Sequence, residues 1–280
     1  MIYEHEIPEG SRLYFGESAR QKRHIEAVAS DVLMREGFEE IVTPFLSYHQ
    51  HQAINEKELL RFSDHDNNIV SLRADSTLDV VRIVTRRLGR STEQKRWFYI
   101  QPVFRYPSSE VYQIGGEIIG DATLSSGVNL LGTLLTKLTC KPLLQISNIR
   151  IPHLISEILG IPLEVFTSSQ LEKLLKIDEA WLTKLAMLQR PDAIDEVIDV
   201  VPYALKEPLL QMKALAKECG YDHVVMAPLY YTKMRYYDQL FFRFIEGNKV
   251  LGSGGCYHFE GVESSGFGLY TDALIETLMK

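Results

Sequence analysis

The chain has 280 residues, 45% of them hydrophobic, a net charge of −7 and three cysteines, enough apolar material for one large or two small cores. Cys140, Cys219 and Cys256 are too few and too scattered for a disulfide framework or a zinc spacing, and the acidic balance counts against a clustered basic grip on nucleic acid. The opening MIYEHEIPEGSRLYF lacks the basic start and apolar run of a signal peptide, and no apolar stretch approaches the ~20 residues that span a bilayer, so a cytoplasmic protein with no membrane segment is expected.

In chain order, Ser18 to Glu36 places Ile25, Val28, Val32 and Leu33 at helical spacing, with Ser18 able to cap the start and Gly37 the end. Phe38 to Thr43 reads as a strand closed by Pro44, which removes a ladder donor. Asn68 to Leu72 reads as a further strand and Thr77 to Leu88 as a helix, with Asp75, Ser76 and Thr77 at its start as capping residues. The basic run from Arg82 to Arg96, with Arg86, Arg87, Arg90 and Lys95, reads as the exposed face of that helix and the loop after it.

Trp97 to Phe104 and Val111 to Ile119 are rich in aromatic and β-branched residues and are separated by Pro107, Ser108 and Ser109, which predicts a hairpin. Side chains alternate along a strand, so Gln113 and Glu117 share one face with Gly115 between them. A glycine there is expected to leave room for a small molecule between an amide and a carboxylate. The residues alone leave a solvated face and a ligand site as equal readings.

Ala122 to Leu138 predicts a helix and Leu143 to Ser147 a strand. Pro152 to Cys219 is helical by periodicity, with breaks at Gly160 to Pro162, Arg190-Pro191 and Glu207-Pro208; Asp195 and Asp199 read as part of a solvated face. Tyr221 to Pro228, Tyr236 to Phe244 and Lys249 to Ser253 read as strands, and most of their aromatics as core.

Several of these segments together resemble class II aminoacyl-tRNA synthetases, and histidyl-tRNA synthetase in particular. Phe104-Arg-Tyr followed by Tyr112-Gln-Ile-Gly-Gly-Glu-Ile-Ile-Gly120 is similar to the second class II motif, Leu72-Arg-Ala-Asp-Ser-Thr77 to the Leu-Arg-Pro-Glu-Gly-Thr of that family, and Tyr236-Tyr237 to its histidine-specific signature. The helix, Gly37, strand and Pro44 resemble the first motif, which in the family forms the dimer interface; Gly266 to Ile275 resembles the third, which implies a glycine turn leading into a helix. The resemblance implies an α+β fold: a class II synthetase-like antiparallel sheet flanked by helices. Its core is expected at residues 1–150 and 221–280, with a mostly helical insertion at 151–220 and no anticodon-binding domain.

The resemblance also implies a histidine site formed by Asp75, Thr77, Arg105, Gln113, Glu117, Tyr236 and Tyr237. Departures from the family bear on chemistry. Asp75 replaces a Glu; family arginines fall on Thr232, Cys256 and Ala273; only seven residues separate Arg105 from Gln113, where the family has a longer loop for ATP and tRNA. Amino-acid activation needs cations around the α-phosphate, and losing one commonly costs ~10²-fold or more in rate. Of the family's arginines in this role only Arg105 remains, and Lys233 or Arg235 can fill at most one vacancy.

A synthetase body without catalytic charge resembles the paralogue family that serves as regulatory subunit of ATP phosphoribosyltransferase. That second resemblance implies a non-catalytic chain with no catalytic residues, no cofactor and no metal. Its partner would be a short-form catalytic subunit in the first step of histidine biosynthesis, whose activity it supports. It would form a homodimer within a hetero-oligomer, take free histidine as feedback effector and bind no tRNA. The alternative is an ATP-dependent amino-acid-activating enzyme related to truncated class II synthetases.

Overall fold

The computed structural model describes residues 6–279 apart from 53, 168, 169, 175, 233–235 and 260. In chain order the elements are α1 (Gly16–Arg35), β1 (Glu39–Glu40), β2 (Leu46–Ser47), β3 (Arg61–Ser63), β4 (Ile69–Leu72), α2 (Thr77–Ile83), β5 (Arg96–Arg105) and β6 (Ser109–Ile119). These are followed by α3 (Leu124–Lys137), β7 (Leu143–Asn148), α4 (Arg150–Leu159), α5 (Leu171–Leu174), α6 (Ala180–Ala186), α7 (Ile194–Ile198) and α8 (Tyr203–Cys219). The chain then returns through β8 (Val224–Met226), β9 (Tyr237–Glu246), β10 (Lys249–Phe259) and β11 (Val262–Tyr270) to α9 (Thr271–Leu278).

Eight strands form one sheet in the order β1-β5-β6-β11-β10-β9-β7-β8. The six inner strands pair antiparallel, and β1 and β8 add parallel at the two edges. A second sheet, β2-β4-β3, is small. Because side chains alternate, the large sheet has two different faces. One carries Phe98, Ile114, Ile118, Phe242, Phe244 and Leu269, all buried under a layer that includes α1, α3, α8 and α9. Complete burial of each such side chain contributes on the order of 2–3 kcal/mol. The other face carries Tyr99, Glu117, Tyr237, Phe241 and Tyr257, with Leu78, Val80 and Val81 of α2 packed on it.

Several boundaries differ from those expected, each for a local reason. The predicted strand Phe38–Thr43 shrinks to β1, because its pairing with β5 ends where the Ile41 amide donates to the Phe98 carbonyl at 2.8 Å and the chain leaves towards Pro44. Ser18 is not the helix cap: Phe15 holds that position, and the Ser18 hydroxyl accepts from the Phe15 amide at 3.1 Å. The helix predicted to Leu88 closes at Ile83, and Val84–Leu88 widens into a π turn. Pro208 does not break α8, which runs through it from Tyr203 to Cys219 although the Pro ring offers no N–H to the Ala204 carbonyl. Gly266 and Gly268 lie inside β11 rather than in a turn, since β11 pairs with β6 and β10 along its length.

Helices α4 to α8 share one apolar cluster with the sheet: Ile151, Phe166, Leu185 and Leu209 belong with Leu144, Phe242 and Phe244. Asp195 is exposed as predicted and pairs with Lys213 at 2.5 Å.

Candidate functional site

The site face is organised by the register of β6. Gln113 and Glu117 do share it, and the strands opposite decide what surrounds them. Gly115 lies across from Tyr99 on β5 and from Gly268 on β11; Glu117 lies across from Gly266. A Cβ on Gly115 would come within 2.2 Å of the Tyr99 ring and hydroxyl. The expected ligand space at Gly115 is therefore already filled by Tyr99, which needs the missing side chain to cross the strand. The open ground lies one strand over, where a Cβ on Gly268 would meet nothing within 4 Å.

Glu117 is completely buried. The Tyr257 hydroxyl donates to Oε2 at 2.8 Å and the Tyr99 hydroxyl to Oε1 at 3.2 Å, and the Thr77 hydroxyl adds a third hydrogen bond. A Cβ on Gly266 would come within 2.0 Å of Oε2, so the carboxylate is seated against bare backbone. Burial pushes the Glu117 carboxyl up to about 8 despite the three hydroxyls that favour its charged form. A carboxylate offers about four lone-pair sites, so a ligand N–H can join the hydroxyls already there.

Asp75 approaches from the loop before α2. That loop is pinned by two buried side chains. Gln50 accepts from the amides of Ala74 and Asp75 at 2.7 Å each and donates to the Asp75 carbonyl at 3.0 Å. Arg73, only 1% exposed, donates to the carbonyls of Thr43, Pro44 and Pro102 at 2.8 to 3.2 Å, and burial lowers its guanidinium to about 10. Asp75 is thereby held buried, its Oδ2 accepting from the Tyr236 hydroxyl at 3.1 Å and its Oδ1 from the Leu78 amide at 3.4 Å. Burial raises its carboxyl, with nearby Arg105 working in the opposite direction. The Tyr236 and Tyr237 rings lie 4.6 Å apart, and Tyr236 meets Tyr257 edge-on at 5.8 Å. Tyr236 and Tyr237 both lie close enough to Asp75 and Glu117 to feel their charge.

Arg105 and Gln113 stand half-buried at the other end. Arg105 donates from Nε to the Ala74 carbonyl at 3.2 Å. The Gln113 side-chain amide makes no hydrogen bond among the described residues, whereas its neighbour Gln101 is tied to Thr43 and Ser76. All seven predicted residues thus converge on one face: Asp75 with Tyr236, Glu117 with Thr77, Tyr237 against both, and Arg105 and Gln113 with polar groups still to be engaged.

Residues 12–274 match the family model described as histidyl-tRNA synthetase. The ATP phosphoribosyltransferase regulatory subunit of Wolinella succinogenes is 49% identical, over all of this chain and 98% of that one. The protein of the same name from Helicobacter hepaticus is 41% identical over the whole of both. The chain belongs to the ATP phosphoribosyltransferase regulatory subunit family. Solved structures agree on the class II synthetase-like fold. An ATP phosphoribosyltransferase regulatory subunit/histidyl-tRNA synthetase from Bacillus halodurans superposes with a TM-score of 0.85 at 21% identity, over 99% of this chain and 84% of that one. A histidine–tRNA ligase subunit from Alicyclobacillus acidocaldarius gives 0.79 at 17%, over 100% and 98%.

Within this regulatory-subunit frame the vacated arginine positions can be placed. Cys256 faces away from Glu117: its thiol donates to the Ala122 carbonyl at 3.1 Å on the helix-covered side, and burial pushes it up to about 12. Its thiol therefore does not reach the walls around Glu117. Ala273 lies in α9, packed on the helix-covered core. Lys233 and Arg235 lie outside the described residues. Among the described residues no cluster of His, Cys, Asp and Glu could hold a metal, and no helix is long and apolar enough to cross a membrane.

Sequence reading missed Tyr99, Tyr257, Gln50, Arg73 and Gln101. Tyr99 and Tyr257 had a signal, since each sits at the parity of its strand that meets Glu117, but only if strand pairing were known. Gln50 had none: it reaches the Asp75 loop from a turn 25 residues away.

Proposed function

We propose that the chain is the non-catalytic regulatory subunit of ATP phosphoribosyltransferase, required by a catalytic subunit and conferring feedback inhibition by histidine bound beside Glu117. The observation that carries the reading is the polar layout of the site: two buried acids, Asp75 and Glu117, and one half-buried cation, Arg105, around an aromatic wall. Histidine presents the complement, an ammonium, an imidazole N–H and one carboxylate. Asp75, Thr77 and Gln113 would accept from the ammonium, Glu117 from the imidazole, and Arg105 would take the carboxylate, with Tyr236 and Tyr237 as ring walls. The positions equivalent to the family's other arginines, Thr232, Cys256 and Ala273, supply no positive charge for a reacting phosphate, which argues against adenylate formation.

Regulation on this reading is linkage: histidine shifts the assembly between two arrangements only as far as its affinity differs between them. We further read the chain as a homodimer within the assembly. Val42 (80% exposed), Phe45 and Leu46 are exposed in and beside the segment that resembles the first class II motif, apolar side chains of the kind that protein contacts cover. The test is calorimetric titration of the purified two-subunit assembly with histidine, beside inhibition assays of Glu117→Ala and Gln113→Ala. The reading expects saturable heat in the parent and inhibition weakened at least tenfold in the variants. No heat, with inhibition unaltered in both, would remove this pocket from regulation.

A further inference from the structure

A second cation stands on the same sheet face, three strands from Glu117. Along one row of the sheet Gly268 pairs with Ser253, Ser253 with Arg243, and Arg243 with Gln145. Arg243 donates from Nη2 to Gln145 Oε1 at 2.7 Å, and its guanidinium carbon lies 3.9 Å over the Tyr230 ring, which is itself stacked on Phe241. Its Nε is buried and has no hydrogen-bond partner. Among the described residues no carboxylate pairs with it.

This guanidinium borders a cavity of about 790 Å³ between the helical segment and the sheet edge, with Phe166, Met187 and Leu188 on one side and Met226, Pro228 and Tyr231 on the other. Such a volume suits a metabolite-sized molecule. A positive charge in mostly apolar surroundings carries a desolvation cost that an opposite charge offsets. Guanidinium binds oxyanions most strongly through charge-assisted hydrogen bonds. Among the described residues the lining supplies no acidic group to receive an ammonium, so a zwitterionic amino acid is disfavoured here.

We infer that this cavity binds a small organic oxyanion, a carboxylate or phosphate on an apolar body, with its charge on Arg243 and its carbon skeleton against Phe166, Leu188 and Tyr231. The site is separate from the one around Glu117, and its existence does not depend on the regulatory role proposed above.

The test uses the full chain and three probes, 3-phenylpropanoate, phenyl phosphate and the neutral 3-phenylpropanamide, followed by calorimetry and ligand-observed NMR. At least one anion binds saturably, the amide at least tenfold more weakly, and the preference between the two anions tells carboxylate from phosphate. Arg243→Met or Arg243→Gln, folded by circular dichroism, weakens the anion at least tenfold, while Glu117→Gln leaves it unchanged. If neither Arg243 variant folds, protection of Arg243 from phenylglyoxal by the bound anion, read by peptide mass mapping, decides the matter. The inference is overturned if neither anion saturates, if the amide binds equally, if binding survives in a folded Arg243 variant, or if it is lost in Glu117→Gln. In the phenylglyoxal arm, absence of protection overturns it.

Discussion

Replacing Glu117 by Gln keeps the size and one acceptor of the side chain and removes its titration. In the folded chain the carboxyl is raised by burial to about 8 from an ordinary 4.5. The folded state therefore holds a proton that the unfolded state releases above pH 4.5. This group's contribution to stability is accordingly complete below pH 4.5, declines as pH rises, and is exhausted once pH passes 8. At about 1.4 kcal/mol per tenfold in proton affinity, the parent loses about 3 kcal/mol between pH 5 and pH 8 through this residue alone. Glu117→Gln should lose none of it. The variant's amide can accept from one tyrosine and donate to the other, so the network with Tyr99 and Tyr257 survives. The assay is urea unfolding of parent and variant at pH 5, 6, 7 and 8, followed by tryptophan fluorescence, to which Trp97, buried on the same face, contributes. The stability difference should move steadily in favour of the variant as pH rises, since groups common to both cancel. Parallel pH curves for the two proteins would refute the claim that an uncharged Glu117 lies at the centre of the site.

Two neighbouring glycines of β11 that share a face should behave oppositely. Gly266→Ala places a methyl against Glu117 Oε2 and should destabilise the chain by roughly 2–4 kcal/mol, as overpacking does; thermal unfolding checks it. Gly268→Ala adds a methyl to open space, so its melting temperature should match the parent's within about 1 °C while calorimetry shows histidine affinity reduced at least tenfold. Arg73→Lys keeps the charge but cannot serve the carbonyls of Thr43, Pro44 and Pro102 together, and should cost about 3 kcal/mol in urea unfolding. Val42→Asp with Leu46→Asp should convert a dimer to a monomer in light scattering after size exclusion; an unchanged mass would place the dimer contact elsewhere.

What the sequence by itself determined is the part governed by local periodicity. The hairpin from Arg96 to Ile119 was legible because aromatic and β-branched runs flank a Pro-Ser-Ser turn, and period-two alternation alone puts Gln113 and Glu117 on one face. The helical stretch before β8 was legible from its 3.6-residue repeat. Only the tertiary structure decided what faces those residues. Tyr257 is 140 positions from Glu117 and Tyr236 is 161 positions from Asp75, and strand order and register bring them together. Those are set by hydrogen-bond ladders between distant segments, in which a one-residue slip would turn Tyr257 away and Cys256 inward. For the same reason the open floor lies at Gly268 instead of Gly115. Whether a glycine marks a cavity or the path of a neighbouring ring depends on the strand beside it.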